Sequence, residues 1–170
     1  MVRYAVPGAV EWIESGGGPP IVIPEASLSA WRGADGDDWD DYDRACGVDG
    51  QVGLIAVGQS SHALVLGFDP ASTAFLPSAG AFVRWIAADS EDELLGSVDA
   101  ALASAVWEET VMWDVPGPVV LFDSAWPGGE AHEDERLRVE VAAGRYRVQA
   151  AQVTPRPSIT FCLVQLVPVT

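Results

Sequence analysis

The sequence predicts an α+β protein: a strand-rich single domain with antiparallel sheets and one main packed helix, from about Glu91 to Glu108. Three observations lead there. Short apolar runs bounded by Gly and Pro recur along the chain, namely PIVIP, VGLIAV, HALVLGF, AFVRWIA, PVVLFD, LRVEVA, YRVQAAQV and ITFCLVQLV, and such runs have strand length and strand composition. One segment, ADSEDELLGSVDAALASAVWEE, carries helical spacing instead. No linker rich in Ser, Gly or Pro and no fixed-period repeat divides the 170 residues, so one domain over 1–170 is expected, with residues 1–11 as a candidate extra N-terminal segment.

Taken in order, Gly16–Gly18 supply the turn that precedes PIVIP. The stretch WRGADGDDWDDYDRACGVDG follows. Within it Trp39, Tyr42 or Asp43, and Cys46 recur at intervals of three to four, which predicts a short second helix ended by Gly47 and Gly50. For the main helix, Ser90 and Glu93 have capping-box spacing, and Glu91 and Asp92 suit the positive N-terminal end. Leu94, Leu95, Val98, Leu102 and Val106 form its apolar stripe. The acidic segment Ser124 to Glu135 reads either as a simple strand connection or as a mobile binding loop. In LRVEVAAGRYRVQAAQV apolar and charged residues alternate on either side of Ala143 and Gly144, the pattern of a hairpin with one wet face. The more uniformly apolar ITFCLVQLV is expected as a central strand.

Composition bounds the function. Hydrophobic residues make up 49% and aromatics 9% of the chain, enough to offset chain entropy by burial. The formal charge is −16, and every basic residue is Arg. An exterior of that sign repels nucleic acid and anionic membrane, whereas it attracts cations and basic proteins; solubility alone is the plainer reading of the bulk of the charge. The N-terminal residues lack the apolar core of a signal peptide and no eighteen apolar residues run together, so a cytoplasmic location is expected. Cys46 and Cys162, far apart in sequence, read as reduced, buried packing residues.

The spacing of the candidate ligands and nucleophiles matches no familiar chemical motif. An EF-hand loop started at Asp35 would put Trp39 in its fifth position, Asp40 where the turn glycine belongs and Cys46 in its twelfth, so the calcium pattern fails. His62, His132, Cys46 and Cys162 show no paired zinc-ligand spacing. Cys46 with His62 and Asp69 can be drawn as a triad, yet no GxSxG elbow accompanies it, and Gly16–Gly18 are not followed by the Lys of a phosphate-binding loop. No catalytic residue, metal site or cofactor is assigned.

Several segments, WIESGGGPPIVIPE, WRG, DYDRAC, ALVLG, FVRWIAADSEDELL, LFDSAWPG and FCLVQL, together span most of Trp12 to Leu166. In this shared order they resemble the Immunity protein 21 family of bacterial polymorphic toxin systems. The resemblance implies a small cytoplasmic antidote that binds a cognate toxin and performs no chemistry. Trp31, Gly33, Tyr42 and Cys46 match as motif positions, with roles that are either structural or functional. A toxin that acts on nucleic acid carries a basic cleft, which carboxylates can occupy. Asp35, Asp37, Asp38, Asp40 and Asp41 are therefore the expected toxin contacts, with Trp39 and Tyr42 as anchors. In the favoured arrangement Trp39, Tyr42 and Cys46 instead turn inward and only the aspartates face the toxin. Two other classes stay open: a small hydrolase using Cys46 or a histidine, and a self-associating structural module. The oligomeric state is left undetermined.

Overall fold

Alternation along the strands builds the architecture. The computed structural model describes residues 9–67, 70–129 and 135–170. Among them lie two five-stranded antiparallel sheets. The first contains β1 (Pro20–Pro24), β2 (Val52–Val57), β3 (Ser61–Leu66), β7 (Val119–Asp123) and β8 (Leu137–Val139), in the order β2-β3-β1-β7-β8. The second contains β4 (Thr73–Leu76), β5 (Ala81–Ala87), β6 (Glu109–Val115), β9 (Gly144–Arg156) and β10 (Ile159–Pro168), in the order β4-β5-β10-β9-β6. The α+β class and the central place of ITFCLVQLV are as the sequence predicts.

Successive side chains on a strand point to opposite faces, and the central strands β1 and β10 are buried on both. Val22, Leu64, Leu66, Val119 and Leu121 of the first sheet meet Phe82, Trp113, Val148, Val164 and Leu166 of the second in a core between the sheets. The alternate residues Ile21, Ile23, Ala63, Val65, Val120 and Phe122 face outward, where Trp31 and Ala45 cover them. On the far side Val83, Phe161 and Leu163 lie under Leu94, Val98 and Ala101. The outer layers are thus a 3-10 helix (Glu25–Ala30) and α1 (Asp41–Cys46) over the first sheet, and α2 (Glu91–Gly96) and α3 (Val98–Ser104) over the second. Burial on both faces explains why PIVIP and ITFCLVQLV are apolar without a polar alternate.

Three expectations are corrected. The helix predicted over Glu91–Glu108 starts as expected, with the Ser90 side chain accepting from Glu93 N, but it divides at Ser97 and stops at Ser104. Gly96 weakens the turn, and the Ser97 hydroxyl bonds back to Glu93 O at 2.9 Å, a contact that bends helices. Beyond Ser104 the chain is extended, since Glu108 N and β6 pair with β9; Val106, a member of the predicted stripe, is 82% exposed. The hairpin centred on Ala143 and Gly144 does not form. β8 pairs with β7 in the first sheet, whereas β9 pairs with β6 and β10 in the second. Leu137, Val139, Tyr146 and Val148 nevertheless share the core between the sheets, so the alternation reports the buried face correctly and the partner incorrectly. Lastly, Cys162 is buried but Cys46 is exposed.

Candidate partner-binding site

The outer face of the first sheet carries an exposed acidic loop, and its base is fixed by residues from three distant segments. Trp31 is buried, and its indole Nε1 donates to the carbonyl of Ser124 at 3.0 Å; its own carbonyl accepts from Gly128 N at 2.9 Å. Next to it Gly33 has φ +66, and a Cβ there would lie 2.5 Å from the Ala125 carbonyl oxygen and 2.7 Å from Trp126 backbone atoms. Only glycine fits that approach. Ala34 N then donates to Ala125 O at 2.9 Å, and Tyr42 N to Gly33 O at 3.3 Å.

Beneath this seam lies Asp123, the buried last residue of β7. Its carboxylate accepts from Gly16 N at 2.8 Å and Ala125 N at 2.9 Å, and the Ser15 hydroxyl lies 3.2 Å away. The Tyr42 ring sits against Gly18, where a Cβ would come within 2.6 Å of both Tyr42 and Asp123. A hydrogen bond to Cys46, burial and the neighbouring Asp123 raise the Tyr42 phenol above its ordinary pKa. Thus the SGGG, WRG, DYDRAC and FDSAWPG segments meet in one place.

The aspartates divide by employment. Asp40 caps α1: one carboxylate oxygen accepts from Asp43 N at 2.9 Å, while Asp43 accepts in return from Asp40 N at 3.2 Å. The other Asp40 oxygen accepts from Asp35 N at 3.1 Å and Gly36 N at 3.4 Å. These backbone donors, Asp43 foremost, hold its carboxyl below the usual carboxylate range. Asp41 accepts from Arg32 N at 2.8 Å and from the Arg44 guanidinium at 2.9 Å, which also reaches Ala56 O of β2 at 2.6 Å. Asp35 accepts from Asp37 N at 3.0 Å and pairs with Arg32 at 3.3 Å. Asp37 and Asp38 are exposed, and their carboxylates make no hydrogen bond or ion pair among the described residues.

Trp39 stands at the tip. It lies outside α1, is 69% exposed and adopts φ 58, a left-handed conformation that is an outlier for so bulky a residue. Its ring edge reaches Gly47. The arrangement with Trp39, Tyr42 and Cys46 all turned inward is therefore corrected: Ala45 is the buried residue of α1, Tyr42 is half-buried, and Trp39 and Cys46 are exposed. The helix starts at Asp41, one turn later than its spacing implied, because Asp40 is the cap.

Among the described residues Cys46 and His62 are not brought together. His62 lies on β3 with the parity of Leu64 and Leu66, whereas Cys46 is on the opposite, outer side of the same sheet. Cys162 belongs to the core between the sheets, and burial pushes its thiol up to about 11. Asp69, His132 and residues 1–8 lie outside the described residues. Among the described residues no three His, Cys, Asp or Glu side chains are grouped to hold a metal, and no helix is long and apolar enough to cross a membrane. A pocket of about 620 Å³ between α3 and β9 is lined by Gln51, Ser104, Glu108 and Gln152. Its polar groups have structural partners: Glu108 accepts from Gln152 N at 2.8 Å, and Ser104 donates to Ala100 O at 2.9 Å.

Sequence reasoning missed Asp123 and Trp126. The available signal was FDSAWPG itself, an acid ending an apolar run and followed at once by an aromatic turn. A family model described as Immunity protein 21 matches residues 11–159. No curated protein and no solved structure matches the chain.

Proposed function

Since the chain belongs to the Immunity protein 21 family, we propose that it binds and neutralises a cognate polymorphic toxin through the acidic loop at Asp35–Tyr42, acting in the cytoplasm by blockade and without chemistry of its own. The whole chain serves as one immunity domain. The observation that carries this reading is the loop tip, where the exposed Trp39 follows directly on Asp37 and Asp38, whose carboxylates the fold leaves uncommitted among the described residues.

The division of the aspartates gives each a role. Asp35, Asp40 and Asp41 shape the loop and set its field; Asp37 and Asp38 meet the toxin directly. Tyr42 supports from below, and Trp31, Gly33 and Cys46 belong to the scaffold under the loop. Carboxylates that outnumber cations on such a surface accelerate encounter with a basic protein. A toxin that handles nucleic acid presents such a surface, so a nuclease is the favoured partner class. Trp39 adds a large rigid contact of the kind that dominates interfaces. Holding a tryptophan in the left-handed region costs about 1–2 kcal/mol, and strain of this sort concentrates where a residue is held for binding.

Binding kinetics with the toxin domain encoded beside this gene test the reading. Asp37→Asn with Asp38→Asn should slow association several-fold at low salt, roughly 3–10 times, with the difference fading as salt rises. Trp39→Gly should speed dissociation while stability holds or rises by up to about 1 kcal/mol. Wild-type association rates in the double variant and unaltered dissociation in Trp39→Gly would remove the loop from the interface.

A further inference from the structure

We infer that the turn Ser124–Trp126 is the second half of the toxin-binding surface, with Trp126 as a contact residue for a cationic protein; this rests on the immunity reading above. Trp126 is 38% exposed, although Ser124 and Gly128, two positions to either side, are buried. Its backbone is packed into the position where a Gly33 side chain would be. From that point hydrogen bonds lead to the acidic loop: Ala34 N donates to Ala125 O, and Tyr42 N, at the start of α1, donates to Gly33 O. The turn is further fixed by Ala125 N to Asp123 at 2.9 Å, by Trp126 N to Asp123 O at 3.0 Å, and by the Trp31 indole on Ser124 O. Loop and turn are tied to each other by Ala34 N on Ala125 O, the Trp31 indole on Ser124 O and Gly128 N on Trp31 O. What this seam carries toward solvent is Trp39 on the loop and Trp126 on the turn. The uncommitted carboxylates of Asp37 and Asp38 set the sign of the partner as positive.

The test is titration of the toxin domain encoded by the adjacent gene, as a purified protein, into variants whose thermal unfolding has been measured. Trp126→Ala should weaken binding by roughly tenfold or more at a temperature where the variant is fully folded. Trp126→Lys and Trp126→Glu provide a readout that a purely structural role would not move: against a cationic partner the Lys variant should bind more weakly than the Glu variant. If Asp37→Asn/Asp38→Asn and Trp39→Gly impair binding while all Trp126 variants bind as wild type, or if Lys and Glu behave alike, the inference is overturned and the acidic-loop reading survives. If the toxin domain fails to bind the wild-type chain, or no variant in either segment alters binding, both fall together.

Discussion

The indole Nε1 of Trp31 donates to the carbonyl oxygen of Ser124 at 3.0 Å, joining two residues 93 positions apart inside the protein. Both are buried, so neither group can turn to water if the other is lost. Trp31→Phe retains most of the ring but orphans that carbonyl, and should cost about 1–3 kcal/mol. Trp31→Ala adds a cavity and should cost about 3–5 kcal/mol. Urea unfolding should show the midpoint fall with the slope unchanged.

Gly33 carries a conformational and a steric demand together. With φ +66 and backbone atoms of Ala125 and Trp126 at 2.5–2.7 Å from a Cβ position, Gly33→Ala must push the turn away from the acidic loop. A loss well beyond the ordinary 1 kcal/mol of a glycine substitution is expected. Gly144→Ala is the control, because no atom lies within 4 Å of its Cβ position; it should stay within about 1 kcal/mol of wild type. Equal effects at the two positions would refute the close-packed seam.

The acid limb of stability should report Asp40. The Asp40 pKa is depressed in the fold, so its contribution is present above the unfolded carboxylate value near 3.9 and is lost as pH falls through the folded value. Asp40→Asn can still accept from Asp43 N, but its amide nitrogen cannot replace the oxygen that serves Asp35 and Gly36. Stability should therefore drop at pH 7 and the variant should converge on wild type at low pH.

The two cysteines should separate by reactivity. Cys46 is exposed and Cys162 buried, so a thiol reagent at pH 8 should label one cysteine in the native protein and two only after unfolding. Burial raises the Cys162 thiol from 9.0 to about 11. A raised pKa gives a contribution that is complete below about 9 and disappears as pH climbs through 11, a loss of up to roughly 3 kcal/mol. Comparing unfolding midpoints of wild type and Cys162→Ala from pH 8 to 11 isolates it: the gap between them should close as pH rises.

Much of this organisation is legible in local residues. The Ser90 cap with Glu93 marks the start of α2, and Gly47 marks the end of α1. PIVIP and ITFCLVQLV lie at the centres of their sheets, as strands without polar alternates must. The site is half legible. The density of aspartates locates the loop, but nothing in their spacing separates Asp40, which builds it, from Asp38, which does not. Asp123 and Trp126 are invisible beside the loop, because more than eighty residues intervene.

What the sequence determined alone is what short-range physics fixes: strand and helix identity from side-chain periodicity, helix starts from capping groups, the sign of the surface from its charges, and family membership from the order of its motifs. Tertiary structure decided which strands pair, sending β8 and β9 to different sheets although their alternation reads as one hairpin. It also ended α3 at Ser104 so that the following residues could pair with β9, turned Trp39 outward, and brought Gly33 against Trp126. Each of these outcomes depends on a partner far along the chain. Periodicity records only that a face is buried, whereas the group that buries it is chosen when the sheets close.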